Sequence, residues 1–338
     1  MSEKIKIGLI ARADNSGLGV LSHDFYKHLP IEKTLIVSSQ FEQSFDRFSM
    51  EDSKICERSI PSNDEISEFL EGLDVVICIE TPYNWNVLKQ AQEKGIKTAL
   101  VVMYEWTPKR ENMPLNFDLY ICPTQLDYDT LWGNKILLPA PTDRKRTPFK
   151  KKTTAKTFVF NNGHGGVCGR NSLDEFLRAT QFVESDVQFL VRSQIPFEMP
   201  YRDTRVKIRL GDLAVGELWG KGDIYIHAHK FDGLSLPLQE ALSAGYPVLA
   251  VDREPYNTML PKELLFESED IGKVELQFRE VEAVTISPRT LAAKIDEVAR
   301  MSDEQITALS EKSNELAEQF SWEKLAPRYI EELTKLVK

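Results

Sequence analysis

Residues 231–252 read FDGLSLPLQEALSAGYPVLAVD, and the reading of this stretch decides the fold. A strand-like run, Asp223–His227, delivers the chain to a loop that holds His229, Asp232 and Gly233. A helix begins near Leu234–Leu236 and stops at Gly245, where a glycine suits a left-handed C-terminal cap. Pro247 follows, and Val248–Val251 opens a new strand. The helix N-terminus offers free backbone N–H groups and partial positive charge, a seat for a diphosphate or a sugar hydroxyl. Gly233 lets a ligand approach the backbone closely. Asp232 stands just before the helix, and Glu240 lies about one and a half turns inside it. Carboxylates at these two places can accept hydrogen bonds from two sets of hydroxyls on one extended ligand, such as a sugar and a ribose.

The same alternation runs outward in both directions. Strand-like runs occur at Ile5–Ala11, Thr34–Ser38, Val75–Ile79, Thr98–Met103, Leu119–Cys122 and Ile136–Leu138. Between several of them, Leu18–Leu29, Asp64–Glu71, Trp85–Lys94 and Gln125–Trp132 have helical apolar spacing. After a lysine-rich segment, Thr147–Thr157, the pattern restarts with strands at Thr157–Asn161, Val187–Val191, Val206–Ile208 and Ile224–His227. Beyond Ser287 it turns purely helical, ending in Trp322–Val337 with Ser321 as N-cap. Such alternation predicts an α/β fold of parallel sheets with helices on both faces. We therefore expect two Rossmann-like, doubly wound domains, residues 1–150 and 151–320, facing across a cleft, with a helix at 321–338. Ligands gather beyond the carboxyl ends of strands in such sheets.

Bulk properties exclude several classes. The 338 residues are long for one core and comfortable for two domains. A net charge of −10 argues against a protein built to coat nucleic acid or anionic membrane. No apolar run approaches the ~20 residues that span a bilayer. Cys56, Cys78, Cys122 and Cys168 form no C-x-x-C pair, and the opening residues are not those of a signal peptide, so a cytoplasmic setting is expected. One local exception is basic: Arg144, Lys145, Arg146, Lys150, Lys151, Lys152 and Lys156 read as a solvated linker or as a contact for a polyanion.

The quoted stretch resembles the donor-binding signature of the retaining GT-B glycosyltransferases, glycosyltransferase family four in particular. That signature has an acidic residue, seven intervening residues and a glutamate, then a G-x-P-V strand. Here Asp232 and Glu240 take the acidic places, followed by Ala241, Gly245, Pro247 and Val248. Phe320-Ser321-Trp322-Glu323-Lys324 with Tyr329 is similar to the family's final helix, which crosses back to the N-terminal domain. Ile5–Ala11 with Gly17 and Gly19 is similar to its first strand and glycine-rich loop. A dehydrogenase fingerprint is absent, since there is neither a third glycine nor an acid ending the second strand.

The resemblance implies an enzyme, a hexosyltransferase-like glycosyltransferase that moves a sugar from a nucleotide diphosphate sugar to an acceptor with retention of configuration. It implies that residues 1–150 serve the acceptor and 151–320 the donor. Asp232 would bind donor-sugar hydroxyls and Glu240 the ribose, while Gly233, Leu234, Ser235 and Leu236 face the sugar or diphosphate, with Gly17 and Gly19 close to the reacting centre. No cofactor and no metal are expected. The family's cations after the first strand of the second domain are only partly matched: Arg170 is the candidate for the lysine, and Asn162 or His164 stands where an arginine is usual. His227 and His229 are expected to point to opposite sides if both are in strand, and His164 with Cys168 makes no convincing metal pair. On the acceptor side, Glu105 is the candidate to orient a hydroxyl or take its proton, flanked by Tyr104 and Trp106, and Glu80-Thr81-Pro82-Tyr83 occupies the corresponding place after the preceding strand. The acceptor itself is open: a glycan, a small molecule or a modified base in nucleic acid. So is a non-catalytic role as a nucleotide-sugar sensor or subunit.

Overall fold

A computed structural model describes residues 4–164, 166, 169–213 and 215–338. The first strand, β1 (Ile7–Arg12), is apolar and buried almost throughout. It feeds α1 (Gly17–His28), whose N-cap Ser16 accepts a hydrogen bond from Gly19 N–H. The chain then moves outward through β2 (Ile31–Val37) and β3 (Ser53–Ile55). The helix α2 (Asn63–Leu70) opens with a full capping box, Ser62 and Glu65. It returns the chain to β4 (Val75–Ile79), which lies on the other side of β1. The run continues through α3 (Asn86–Glu93), β5 (Lys97–Val101), β6 (Leu119–Cys122), α4 (Gln125–Thr130) and β7 (Lys135–Leu137). The sheet order is β3-β2-β1-β4-β5-β6-β7, and each neighbouring pair is parallel. The order reverses between β1 and β4, so their carboxyl ends mark the topological switch point.

A second sheet repeats the plan. It comprises β8 (Thr157–Asn162), α5 (Leu173–Thr180), β9 (Gln188–Ser193), β10 (Val206–Leu210), α6 (Val215–Leu218), β11 (Ile224–His227), α7 (Leu236–Ser243), β12 (Val248–Val251) and β13 (Leu265–Phe266). Its parallel order is β10-β9-β8-β11-β12-β13, with the reversal between β8 and β11. An antiparallel hairpin, β14 (Glu269–Glu275) and β15 (Glu280–Thr285), and the helices α8 (Pro288–Ala299) and α9 (Asp303–Gln319) follow. The last helix, α10 (Trp322–Val337), buries Trp322, Leu325, Tyr329 and Leu333. Phe25 of α1 meets Trp322 and Tyr329 edge-on, and Tyr329 Oη donates to Pro139 O at 3.1 Å.

The chain divides into two units. Unit 1 is the chain up to Thr142 with Leu276–Arg279 and Trp322–Lys338; unit 2 is Asp143–Glu275 with Glu280–Ser321. The two doubly wound α/β sheets expected from the sequence are thus present, one in each unit. Among the described residues no helix is long and apolar enough to cross a membrane.

The basic segment is exposed at Lys145, Lys150, Lys151 and Lys156 and docked elsewhere. Thr147 and Lys152 are buried. Ser243 Oγ donates to Thr147 O, Lys150 N–H to Ala244 O and Lys152 N–H to Ser310 Oγ, tying the segment to α7 and α9. Four of its seven cations have partners inside unit 2, while Lys145, Lys150 and Lys156 are exposed. Arg144 pairs with Glu318 and Asn314, Arg146 lies 3.7 Å from Glu240, Lys151 pairs with Glu311, and Lys152 Nζ sits 3.8 Å over the Tyr246 ring.

Candidate functional site

β11 is buried along its whole length and ends at His227. Past it, the loop to α7 crosses the switch point of unit 2 and carries Asp232, Gly233, Leu234 and Ser235. Ser235 is the N-cap of α7 yet makes no side-chain cap; its hydroxyl lies 3.1 Å from His227 Nε2 instead. Pro237 stands in the first turn, where the missing N–H is no loss. The start of α7 therefore keeps backbone donors that no serine cap covers, next to a buried acid. Gly233, Ser235 and Leu236 are buried and Leu234 is half-buried.

Asp232 is almost fully buried and is held from three directions. Its Oδ2 lies 2.7 Å from His229 Nδ1 and 3.3 Å from His227 Nε2, and Arg170 Nη1 is 3.8 Å from its Oδ1. Burial by itself would raise this carboxyl. His229, Arg170 and the hydrogen bonds from both imidazoles outweigh burial and hold it well below the usual carboxylate range. The imidazoles move the other way. Burial pushes His227 down, and burial with repulsion from His227 pushes His229 down to about 3. The cluster is an aspartate anion with two neutral N–H donors. Tyr256 Oη, 3.1 Å from His227 Nε2, completes it.

The expectation that His227 and His229 point apart is wrong. Side chains two apart along an extended chain share a face, and the two ring centroids are 3.8 Å apart. Among the described residues, His227, His229 and Asp232 form a group whose donor atoms, all within 4.8 Å of one another, are close enough to hold a metal ion. All three atoms already have partners in the cluster, and the Arg170 guanidinium opposes a second cation there. Cys168, considered beside His164 in the sequence, lies outside the described residues, as do Gly165 and Val167 of the same loop.

Glu240 sits inside α7, also buried. Trp219 Nε1–H donates to its Oε2 at 3.1 Å, and Arg146 Nη2 lies 3.7 Å from its Oε1. Burial raises this carboxyl, opposed by Arg146 and the indole hydrogen bond. The buried Tyr225 of β11 feels both Asp232 and Glu240, so the two acids share one neighbourhood.

The loop after β8 supplies the other wall of the switch point. Arg170 is fixed through its carbonyl, which accepts from Lys230 N–H at 2.8 Å. His164 N–H donates to Gln194 Oε1 at 3.1 Å. Asn162 is a bracket: its Nδ2 donates to Ser193 Oγ and its Oδ1 accepts from Asn171 Nδ2, so both ends of the amide are committed within unit 2. Gly17, Gly19 and Glu105 belong to unit 1. Gly19 has a packing reason of its own, since a Cβ there would meet Asp14 O at 2.1 Å. Glu105 is buried in the turn beyond β5. Sequence reasoning missed Arg146, Trp219 and the paired histidines as site residues. The i, i+2 spacing of His227 and His229 was a usable signal; Arg146 and Trp219 carried none.

No family model matches the chain, and no curated protein matches it. Solved structures do. The chain is similar to a glycosyltransferase from Rickettsia africae, with 13% identity, a TM-score of 0.70 and 99% of each chain covered. It is similar to HepE of Anabaena in complex with UDP, with 12% identity, a TM-score of 0.69, and 98% of this chain and 100% of that chain covered. A third is the sucrose-phosphate synthase of Thermosynechococcus elongatus, with 14% identity, a TM-score of 0.67, and 98% and 99% covered. The likeness runs over nearly the whole length, and the fold is GT-B.

Proposed function

We propose that the protein is a glycosyltransferase that moves a sugar from a nucleotide diphosphate sugar to an acceptor hydroxyl, with retention of configuration and without a resident metal. One observation carries this reading: an ionised Asp232 and a buried Glu240 bracket the start of α7 at the switch point of unit 2, with Arg170 beside the first. Asp232 accepts hydrogen bonds from the donor sugar, and Glu240 accepts them from the ribose. Arg170 and the backbone N–H groups opening α7 stabilise the diphosphate as its charge grows. In the step itself, the acceptor oxygen bonds to the anomeric carbon while the bond from that carbon to the diphosphate oxygen breaks. The electron pair stays on the diphosphate, which takes the acceptor's proton. The UDP held by HepE supports a uridine nucleotide as the donor's leaving group. Arg144, Arg146, Lys151 and Lys152 are engaged within unit 2, which favours a hydroxyl acceptor over a polyanion at the segment 144–156. Buried, unpaired Cys56, Cys78 and Cys122 support a reducing, cytoplasmic setting.

Titration calorimetry with UDP and UDP-glucose, alongside turnover assays with the common nucleotide sugars, tests the reading. Glu240→Ala is expected to weaken UDP binding at least tenfold, about 1.4 kcal/mol. Turnover is expected to survive EDTA. A wild-type protein that neither binds nor turns over any nucleotide sugar, or a Glu240→Ala protein that binds as tightly as wild type, overturns the assignment. Activity lost to EDTA and restored by a divalent cation overturns the metal-free part.

A further inference from the structure

The turn that joins β14 to β15, Leu276–Arg279, is part of unit 1. Leu276 N–H donates to Arg279 O at 2.8 Å and closes it. Glu269, Asp270, Lys273, Glu275, Glu280 and Glu282 of this hairpin are all exposed. Arg279 is the exception, a charged side chain at 8% exposure.

A guanidinium stays ionised in a protein, so burying one without a partner is costly. The half-buried Arg12, Arg146 and Arg170 each lie within ion-pair reach of a carboxylate, Asp14, Glu240 and Asp232. Arg192 is buried and gives an Nη2–H to Lys221 O at 2.7 Å. Arg279 has neither kind of partner among the described residues, and its Nε is sealed from solvent with no hydrogen bond. What it does have is the ring of Tyr104, with the guanidinium carbon 4.9 Å from the ring centroid. Tyr104 is itself buried, in the turn beyond β5 that Trp106 and Thr107 close through their N–H groups on Met103 O at 3.1 and 2.8 Å. An aromatic ring occupies one face of a guanidinium and takes none of its N–H groups, which lie in the plane and match the two oxygens of an oxyanion. A buried cation with its donors uncommitted, on a hairpin that buries no other charge, is not what packing alone produces.

We propose that Arg279, backed by Tyr104, forms an oxyanion-binding site of unit 1, and that it takes the phosphate monoester or the carboxylate of a small hydroxylated molecule. On the glycosyl-transfer reading above, that molecule is the acceptor, and the enzyme glycosylates a sugar phosphate or a sugar acid. Arg170 and the opening of α7 serve the donor diphosphate in unit 2, which leaves Arg279 for a second anion. The net charge of −10 favours a small anion over a nucleic-acid chain.

The test uses the full chain saturated with UDP, so that the diphosphate seat is taken, and titration calorimetry with glucose 6-phosphate, glucuronate, inorganic phosphate and methyl glucoside. At least one of the three anions should bind wild type about tenfold or more tightly than methyl glucoside does. Glucose 6-phosphate against glucuronate separates phosphate from carboxylate. Arg279→Gln should bind that anion about tenfold or more weakly, and Arg279→Lys, which keeps the charge and loses the fork, about three- to tenfold more weakly. Both variants should bind UDP as wild type does. Without an anion, Arg279→Gln should melt at an equal or higher temperature, because an unpaired buried charge has gone; with it, only wild type should gain in melting temperature. No anion bound by wild type, methyl glucoside bound as tightly as the anions, or Arg279→Gln binding as wild type overturns the proposal and leaves the donor reading standing. So does an anion-free Arg279→Gln that melts lower, which would make Arg279 a packing group for the turn. Failure of wild type to bind UDP overturns the donor reading alone, since the anion titrations report on Arg279 independently. Arg279-dependent binding of an oligodeoxynucleotide that exceeds binding of all three anions overturns the small-molecule class.

Discussion

Asp232 stays charged in a place where its two imidazole neighbours do not, and this gives the protein a pH signature. Burial lowers both histidines, His229 to about 3. Unfolding returns each to about 6.5, so the unfolded state binds more protons below that pH. Stability is unaffected above about pH 6.5 and declines as pH falls beneath it, by up to about 1.4 kcal/mol per pH unit for each histidine. The lowered Asp232 acts in a separate window. Its contribution is present above about pH 3.9 and is lost only as pH falls through its lower folded value. His229→Gln keeps an N–H donor for Asp232 and removes the titration. Urea unfolding between pH 4.5 and 7 should show a shallower decline for this variant than for wild type, and an unchanged slope would contradict the neutral-imidazole assignment. Asp232 and Glu240 were legible in sequence because both lie within one strand-loop-helix unit. Arg146 was not, because nothing local places it 3.7 Å from a residue so far along the chain.

At the scale of elements, the junction from α7 to β12 shows how closely two backbones can meet. Gly245 has φ 85°, and a Cβ added there would fall 2.7 Å from Lys150 O and 2.8 Å from the Phe149 ring. Gly72 has a similar φ of 74°, with nothing within 4 Å of such a Cβ. Gly72→Ala should cost only the left-handed penalty, about 1–2 kcal/mol. Gly245→Ala should cost more, about 2–4 kcal/mol with the clash included. Chemical denaturation of the two variants checks the order, and equal losses would refute the close approach. The cap at Gly245 was readable because a glycine at a helix end is a local signal. The packing of Arg144 and Lys151 was not, since charge alone reads as solvent-facing while their partners Glu311, Asn314 and Glu318 lie on α9. The hairpin β14–β15 also went unread. Its outward glutamates, Glu280 and Glu282, alternate with the inward Val281 and Ala283, a two-residue period that was there to be seen.

Taken whole, the molecule has a separate apolar core in each unit, one around Val76, Leu100 and Tyr120 and another around Phe158, Phe176 and Phe189. Alternating strands and helices form a local pattern, which is why two doubly wound sheets were legible without knowledge of strand order. Removing residues 322–338 takes Trp322, Leu325, Tyr329 and Leu333 from unit 1 and leaves Asp232, Arg170 and Glu240 untouched in unit 2. Hydrogen exchange on the truncated chain should show β1, β4 and β5 losing protection, with UDP still bound. Full protection in those strands would show that α10 is dispensable. The position of α10 also bears on synthesis. The sheet of unit 1 leaves the ribosome first, yet the helix that covers Phe25 follows only after some 180 further residues, from Thr142 to Trp322. At about 5–20 residues per second, that is a wait of roughly ten to forty seconds. Unit 2 is complete before its elder neighbour, so the half of the chain that is born first is finished last.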